Sequence, residues 1–206
     1  MSDGYLTPLG YGEAALTEKR SRFTGRVWPV KSEEEAQAHL RDIRSQYWDA
    51  THHVYAYQLR ENALMRYSDD GEPQGTSGLP TLEVLRSGPV LDALIIVTRY
   101  FGGILLGTGG LRRAYSQTAR LALEAAGVGR VRLWARLLAV CPYALHDRVR
   151  RELDSAGAVV ESADYGADIT LELRLVKEDV PALNQRLREL SAGSVEAVPV
   201  GEEYRA

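Results

Sequence analysis

The 206-residue sequence is 45% hydrophobic and 26% charged, the composition of a folded globular protein, which excludes an intrinsically disordered chain. Its longest apolar runs fall far short of the roughly 20 residues of a membrane-spanning helix, and no basic segment followed by an apolar one opens the chain, so we expect a cytoplasmic protein. The single cysteine, Cys141, excludes an intrachain disulfide and a cysteine-rich zinc site.

The net charge of −3 hides a segregation of charge along the chain. Residues 1–98 carry 10 basic and 14 acidic side chains, residues 99–151 carry 10 and 2, and residues 152–206 carry 5 and 12, for net charges of −4, +8 and −7. A concentrated basic segment indicates a surface for partners that bear phosphate. The alternative is that these arginines form ion pairs with the acidic flanks.

The first hundred residues alternate strand and helix signals. In chain order the patterns predict a strand at 23–30, a helix from 32 to 47, a hairpin of strands at 51–59 and 64–67, a loop at 68–80 and a buried strand at 93–99. Ser32 and the glutamates that follow it form a capping box, and Pro80 suits the first turn of a short helix.

The second half of the chain follows a different order. A glycine-rich segment at 101–110 precedes a helix at 111–126, which Gly127 can terminate. Beyond it the patterns predict a strand at 131–140, a helix at 143–156, strands at 158–162 and 168–176, a helix at 179–190 and a strand at 195–200. This βαββαβ order is typical of a ferredoxin-like domain. We therefore predict an α+β protein with domains at 1–130 and 131–206.

The glycine-rich segment has the strongest local signal for binding. Its glycines let the backbone approach a ligand and place N–H groups at a helix N-terminus, which favours an anion. Arg99 precedes it, and Arg112 and Arg113 are expected in the first helical turn, where cations are unfavourable unless a negative ligand offsets them. The segment is neither a P-loop, because no lysine precedes Thr108, nor a dinucleotide-binding fingerprint. Tight turns that pack the helix on the sheet are the alternative.

An acidic loop, residues 68–80, contains Asp69, Asp70 and Glu72 within four positions. Such carboxylates can hold Mg²⁺ or position a water molecule. They can equally build turns, because Asp-Gly and Glu-Pro are common turn sequences.

Two adjacent histidines lie on the predicted strand at 51–59. Successive side chains of a strand point to opposite faces, so at most one of them can address a given site. His53 shares its face with Tyr55 and Tyr57, which makes it a candidate for a stacking surface; a packed aromatic face is the alternative. No G-x-S-x-G elbow surrounds Ser116, and Cys141 lies in an apolar strand without an adjacent base, so we predict no catalytic residue. We also predict no metal and no cofactor.

Four segments together resemble the IMPACT family, in particular its bacterial YigZ-like branch. They are Ser21-Arg-Phe23, Asp49-Ala-Thr-His-His53, Ser68-Asp-Asp-Gly-Glu-Pro-Gln-Gly75 and Val97-Thr-Arg-Tyr-Phe-Gly-Gly-Ile-Leu-Leu-Gly-Thr-Gly-Gly-Leu111. The resemblance implies an N-terminal βαβ-type domain similar to domain four of elongation factor G, followed by a ferredoxin-like domain. Eukaryotic members are translation regulators that compete for a ribosome-associated activator of a stress kinase. That partner does not carry over to a bacterial member. The family assigns no proven catalytic role to these motifs.

The sequence is compatible with three functions. The first is a non-enzymatic protein that binds RNA or the ribosome and regulates translation, without a cofactor. The second is an adaptor for a protein of the translation machinery, and the third is an enzyme that binds a phosphate or nucleotide on the glycine-rich segment. The candidate binding residues are Asp69, Asp70, Glu72, His53, Arg99, Tyr100, Gly102, Gly103, Gly107, Thr108, Gly109, Gly110, Arg112, Arg113 and Arg120.

Overall fold

The computed structural model describes residues 4–205, which fold into two compact units. One unit spans Tyr5–Arg130, and the other contains the chain from Val131 onward together with Gly4. Strands and helices are mixed in both, which confirms the predicted α+β class.

The helices and strands have the following bounds. The strands are β1 (Tyr5–Pro8), β2 (Gly12–Glu18), β3 (Ser21–Pro29), β4 (His52–Gln58), β5 (Met65–Ser68), β6 (Ala93–Tyr100), β7 (Val128–Cys141), β8 (Val159–Tyr165), β9 (Ile169–Val176) and β10 (Ala197–Arg205). The α-helices are α1 (Glu33–Gln46), α2 (Gly78–Ser87), α3 (Gly107–Ala126), α4 (His146–Ser155) and α5 (Val180–Ser191).

The N-terminal unit is built on a sheet with the strand order β2-β3-β6-β4-β5. Both β3 and β4 pair with β6 in antiparallel orientation, so β3 and β4 run parallel to each other on its two sides. Because α1 connects them, the unit contains a βαβ crossover with β6 inserted between its strands. The register places Phe23 and His52 on either side of Arg99, so these three side chains share one face of the sheet.

Strand β6 is buried on both faces, which explains its continuous apolar run. Its Ile95 and Val97 pack with α2 and α3 on one face, whereas Leu94 and Ile96 pack with α1 on the other. The sheet therefore lies between α1 and the α2–α3 pair. The site described below is on the α3 side.

The capping of α1 follows the predicted pattern with one change. The Ser32 Oγ accepts a hydrogen bond from the Glu35 N–H at 3.2 Å, as a capping box requires. The Glu35 carboxylate accepts from the Lys31 N–H at 2.7 Å instead of returning to Ser32. The helix start is confirmed.

Helix α3 begins at Gly107, four residues before the predicted start at Leu111. Four of the ten residues of the expected glycine-rich loop, 107–110, therefore form the first helical turn, and the prediction that Arg112 and Arg113 lie in that turn is wrong. Glycine is a poor helix former, so local propensity did not reveal this turn. The predicted end is confirmed, because Gly127 follows the helix with a φ of +67°.

The C-terminal unit has the predicted βαββαβ order, β7-α4-β8-β9-α5-β10. Its strands are arranged β10-β7-β9-β8 with antiparallel neighbours, the ferredoxin-like arrangement. Alternate residues of β7 and β9 pack under the two helices, and Cys141 is buried among them. Within residues 4–205, no helix is both long and apolar enough to cross a bilayer.

Candidate functional site at the N-terminus of helix α3

The four segments that carry the family resemblance meet at one corner of the N-terminal unit. The buried Ser21 Oγ accepts hydrogen bonds from the Gly102 N–H at 3.2 Å and from an Arg99 Nη at 3.3 Å. The Thr51 Oγ1 accepts from the Phe101 N–H at 3.0 Å. These contacts join residues that are 50 or more positions apart in the chain, so the motifs form a single three-dimensional feature.

A buried ion pair forms the centre of this corner. Arg99 and Glu72 are 5% and 8% exposed, and an Arg99 Nη lies 2.5 Å from the Glu72 Oε1. The Tyr115 hydroxyl donates to the same oxygen at 2.8 Å. Burial, followed by the negative charge of Glu72, raises the pKa of Tyr115, so this hydroxyl remains a donor. Arg99, predicted to bind an external phosphate, instead has a carboxylate partner within the fold.

His52 also borders this ion pair. Its Nδ1 lies 2.7 Å from the Asp70 carbonyl oxygen, which can only accept, so we assign the proton to Nδ1. Its Nε2 lies 3.9 Å from the Glu72 Oε1, so the other edge of the ring faces the ion pair.

His53 lies on the opposite face of β4, as strand alternation predicts. It is buried; its Nε2 lies 3.1 Å from the Tyr47 carbonyl oxygen and its Nδ1 lies 3.3 Å from the Thr98 hydroxyl. Burial lowers the pKa of His53. The structure thus does not bring His53 to the corner occupied by His52, and its neighbour Tyr57 is also buried.

The three carboxylates of the acidic loop point to different partners. Asp69 accepts from the N–H groups of Gly75, Ser77 and Gly78, Asp70 pairs with Arg44 at 2.6 Å, and Glu72 pairs with Arg99. Asp69 thus closes the loop on itself, whereas Asp70 and Glu72 tie the loop to α1 and β6. Among the described residues, no group of three or more His, Cys, Asp or Glu side chains is arranged to hold a metal ion.

The first turn of α3 lies next to the ion pair. The helix has Leu106 at its N-cap, and no side chain caps its first N–H groups. A cavity of about 420 Å³ opens there, bordered by both polar and apolar side chains. Its lining residues include Thr51, His52, Glu72, Arg99, Phe101, Leu105, Leu106, Gly107 and Thr108.

The backbone requires glycine at three positions around this turn. A Cβ on Gly102 would lie 2.0 Å from the backbone of Arg20, and Gly103 and Gly107 have φ values of +82° and +72°. Gly109 differs, because a Cβ there would meet only the end of the Arg113 side chain, at 3.7 Å. Neither crowding nor backbone conformation requires glycine at position 109.

We expect Gly109→Ala to raise the free energy of unfolding by about 0.5–1 kcal/mol, since alanine is the better helix former and nothing rigid opposes its methyl group. Gly107→Ala is the matched control, and it should lower stability by about 1–2 kcal/mol because of its positive φ. Urea denaturation of both variants measures the two effects. A loss of stability in Gly109→Ala would contradict the geometry.

The remaining candidate residues are farther along α3 or at the end of β6. Arg112, Arg113 and Arg120 are exposed, and they line a second surface concavity with Ser116, Gln117 and Leu121. In the described part of the chain these three arginines have no ion-pair partner. The Tyr100 hydroxyl donates to Asp49 at 2.7 Å.

Residues 19–123 match the Impact N-terminal domain, and residues 140–194 match a domain of unknown function, DUF1949. The chain is 34% identical to the IMPACT family member YvyE of Bacillus subtilis over 194 residues, which cover 94% of this chain and 89% of YvyE. It belongs to the IMPACT family. This IMPACT family member is also 31% identical to YigZ of Escherichia coli, over 97% of this chain and all of YigZ.

Two further comparisons cover different shares of this IMPACT family member. Mouse Protein IMPACT is 33% identical over 109 residues, which cover 50% of this chain and 33% of the mouse protein. A crystal structure described as a hypothetical protein aligns over 98% of this chain and 99% of its own, with a TM-score of 0.62 and 29% identity. The two-domain fold is thus shared with a solved structure.

Several residues of the corner were not among the predicted site residues. His52 was set aside in favour of its neighbour, and neither Ser21 nor Tyr115 was singled out as a site residue. Ser21 and His52 do lie within the segments that resemble the family. The available signal was therefore the shared motif, whereas Tyr115 had none because its role depends on the position of Glu72.

Proposed function

We propose that this IMPACT family member binds RNA of the translation machinery through the exposed arginine face of α3, defined as Arg112, Arg113 and Arg120, and thereby regulates translation. The observation that supports this proposal is the absence of ion-pair partners for these arginines within residues 4–205. Unpaired surface guanidinium groups attract phosphates, and Ser116 and Gln117 add neutral hydrogen-bonding groups beside them.

Helix geometry supports a continuous phosphate contact. Arg113 and Arg120 are seven positions apart, about two helical turns, so they lie on one side of α3 near Arg112. The face lines a shallow concavity of about 580 Å³. The choice of RNA rests on the resemblance of the N-terminal domain to domain four of elongation factor G, since guanidinium groups alone recognise any phosphate backbone.

The first experiment compares the native protein with the triple variant Arg112→Gln, Arg113→Gln, Arg120→Gln in co-sedimentation with ribosomes and with purified ribosomal RNA. We expect native binding to weaken as salt rises from about 50 to about 200 mM, because counterions compete for the phosphates. The triple variant should bind at least about tenfold more weakly at low salt, with a salt slope reduced by about 2–3.

The matched control replaces three exposed arginines elsewhere in the N-terminal unit, Arg41, Arg66 and Arg86, with glutamine. It changes the net charge equally, so it should retain most of the binding. If both variants lost binding equally, only the total charge would matter, and the assignment of binding to the arginine face would be overturned. Capture of a ribosomal protein that persists after nuclease treatment, without binding to RNA, would favour the adaptor function instead.

A further inference from the structure

Exposed apolar side chains are grouped at one end of the N-terminal unit. Phe101, Ile104 and Leu105 follow β6 and are all exposed, with 81% of Leu105 accessible to solvent. Trp48, in the turn after α1, is 82% exposed. Single exposed apolar residues are common, but a group of large ones marks a surface that a partner covers. We call these four residues the apolar surface.

Trp48 belongs to this group because its turn is attached to the end of β6. The Tyr100 hydroxyl donates a hydrogen bond to Asp49 at 2.7 Å, and the Phe101 N–H donates to the Thr51 Oγ1 at 3.0 Å. These two bonds hold the turn beside the start of the glycine-rich segment. The four apolar side chains therefore come from two segments that the fold brings together.

The cavity of about 420 Å³ at the start of α3 opens within the apolar surface. Phe101 and Leu105 line it and are exposed, whereas Leu106 and Leu111 line it and are buried. The cavity is thus an apolar recess with accessible apolar side chains at its mouth. Protein interfaces take much of their binding energy from a large apolar side chain that fills such a recess.

A basic hairpin borders the apolar surface. The turn between β2 and β3 contains Lys19 and Arg20, and β3 continues with Arg22; all three side chains are exposed. A Cβ on Gly102 would lie 2.0 Å from the backbone of Arg20, so the hairpin lies directly against the glycine-rich segment. Arg22 is opposite Tyr100 in the sheet. Within residues 4–205, the three basic side chains form no ion pair.

The acidic side chains of this region do not cancel the charge of the hairpin. Glu72 is neutralised by Arg99 and Asp70 by Arg44. The exposed acids on these segments are Glu18 and Asp49, two against the three basic side chains of the hairpin. The arginine face adds further positive charge along α3. The surroundings of the apolar surface are therefore basic, and they favour an acidic partner.

We propose that the apolar surface docks an acidic peptide segment of a partner protein. The segment inserts one large apolar side chain into the cavity, and its carboxylates face Lys19, Arg20 and Arg22. A peptide fits better than single-stranded RNA, because the recess is lined largely by aliphatic side chains, whereas bases bind by stacking on free aromatic rings. This docking is distinct from the proposed RNA binding, since the cavity shares no lining residue with the concavity of the arginine face.

The experiment titrates the isotope-labelled full chain with three end-capped peptides and follows its amide NMR signals. The first peptide is Glu-Asp-Glu-Trp-Glu-Asp-Glu; the second has alanine in place of tryptophan, and the third has lysine in place of every acid. We expect the first to shift the signals of Phe101, Ile104 and Leu105 to saturation, with a dissociation constant on the order of 0.1–1 mM for so short a segment. The other two should bind at least about tenfold more weakly.

Leu105→Gln tests the apolar contact, because this side chain is exposed and its replacement does not disturb the core. It should weaken binding of the tryptophan peptide about 5- to 10-fold, since apolar area at the mouth of the cavity is lost. Met65→Gln is the matched control. Met65 is also exposed, but it lies on β5, the strand at the edge of the sheet, and its replacement should change the affinity by less than about twofold.

The double variant Lys19→Gln, Arg22→Gln tests the charge. It should weaken binding of the tryptophan peptide about 3- to 10-fold at low salt, and this difference should shrink as salt rises from about 50 to about 200 mM because the charges are then screened. Arg41→Gln combined with Arg86→Gln removes the same charge from exposed sites elsewhere and serves as the control.

Four results would overturn the proposal. The first is no shift with the tryptophan peptide up to about 5 mM, beyond the weakest affinity expected. The second is equal affinity for the alanine or the lysine peptide. The third is a response centred on Arg112 and Arg113 that leaves the signals of residues 101–105 unchanged. The fourth is tighter binding of a uridine octanucleotide at residues 101–105, which would make this a surface for single-stranded RNA. The arginine-face variants test the proposed RNA binding separately.

Discussion

Replacing Arg99 with methionine should lower the free energy of unfolding by about 3–5 kcal/mol, the largest effect we expect from a single substitution in this molecule. The change keeps an apolar side chain of similar length but leaves the Glu72 carboxylate buried without its cation, and Glu72 is only 8% exposed. It also removes the hydrogen bond to Ser21, which holds the start of β3 beside the glycine-rich segment. Chemical denaturation measures the loss.

Arg112→Met is the matched control, because it is the same replacement at an exposed arginine. It should change stability by no more than about 0.5 kcal/mol. Adding Glu72→Gln to Arg99→Met should restore part of the lost stability, since the buried charge is then gone as well. Similar costs for Arg99→Met and Arg112→Met would mean that the ion pair is not a structural element of the fold.

The expected loss of stability on replacing Arg99 also limits how binding can be tested. A variant that includes Arg99→Ala would confound lost binding with lost stability, because Arg99 is buried and paired. The residues that can be changed safely are the exposed Arg112, Arg113 and Arg120. The ion pair therefore positions the corner, and the proposed RNA contacts are assigned to the exposed arginine face instead.

Periodicity predicted most of the fold correctly because it reports burial. The uninterrupted apolar run of β6 predicted burial on both faces, and the order of segments after Gly129 predicted the ferredoxin-like topology. The start of α3 was wrong by four residues, because Gly107 to Gly110 have low helix propensity and tertiary packing decides their conformation. Local patterns cannot represent that packing.

The candidate site was predicted less completely than the fold. Alternation placed His52 and His53 on opposite faces, but the face that carries the cavity depends on where α3 packs. The charge pattern grouped Arg99 with Arg112 and Arg113, whereas Glu72, 27 residues earlier, neutralises Arg99. The packing of α3 on one face of the sheet and the pairing of Glu72 with Arg99 are contacts between segments far apart in the sequence. Such contacts form only in the folded chain.

Replacing Asp69 with alanine should lower the free energy of unfolding by about 2–4 kcal/mol at neutral pH. The carboxylate accepts hydrogen bonds from the Gly75 N–H at 2.9 Å, the Ser77 N–H at 3.1 Å, the Ser77 hydroxyl at 2.7 Å and the Gly78 N–H at 2.8 Å. It thus closes the acidic loop and caps the start of α2. Asp42→Ala, on the exposed side of α1, is the control and should change stability by about 0.5 kcal/mol or less.

The pH dependence distinguishes this charged cap from a neutral one. Burial raises the pKa of Asp69, but the hydrogen bonds from Gly75, Gly78 and Ser77 outweigh it, so the folded-state pKa lies below the ordinary value of 3.8. A group whose pKa is depressed by folding stabilises the fold above its unfolded-state pKa and loses that contribution as pH falls through the folded-state pKa. The stability difference between the native protein and Asp69→Ala should therefore be constant from neutral pH to about 5 and shrink below about 4. A difference that stays constant to pH 3 would mean that the protonated carboxyl caps the helix as well as the carboxylate does.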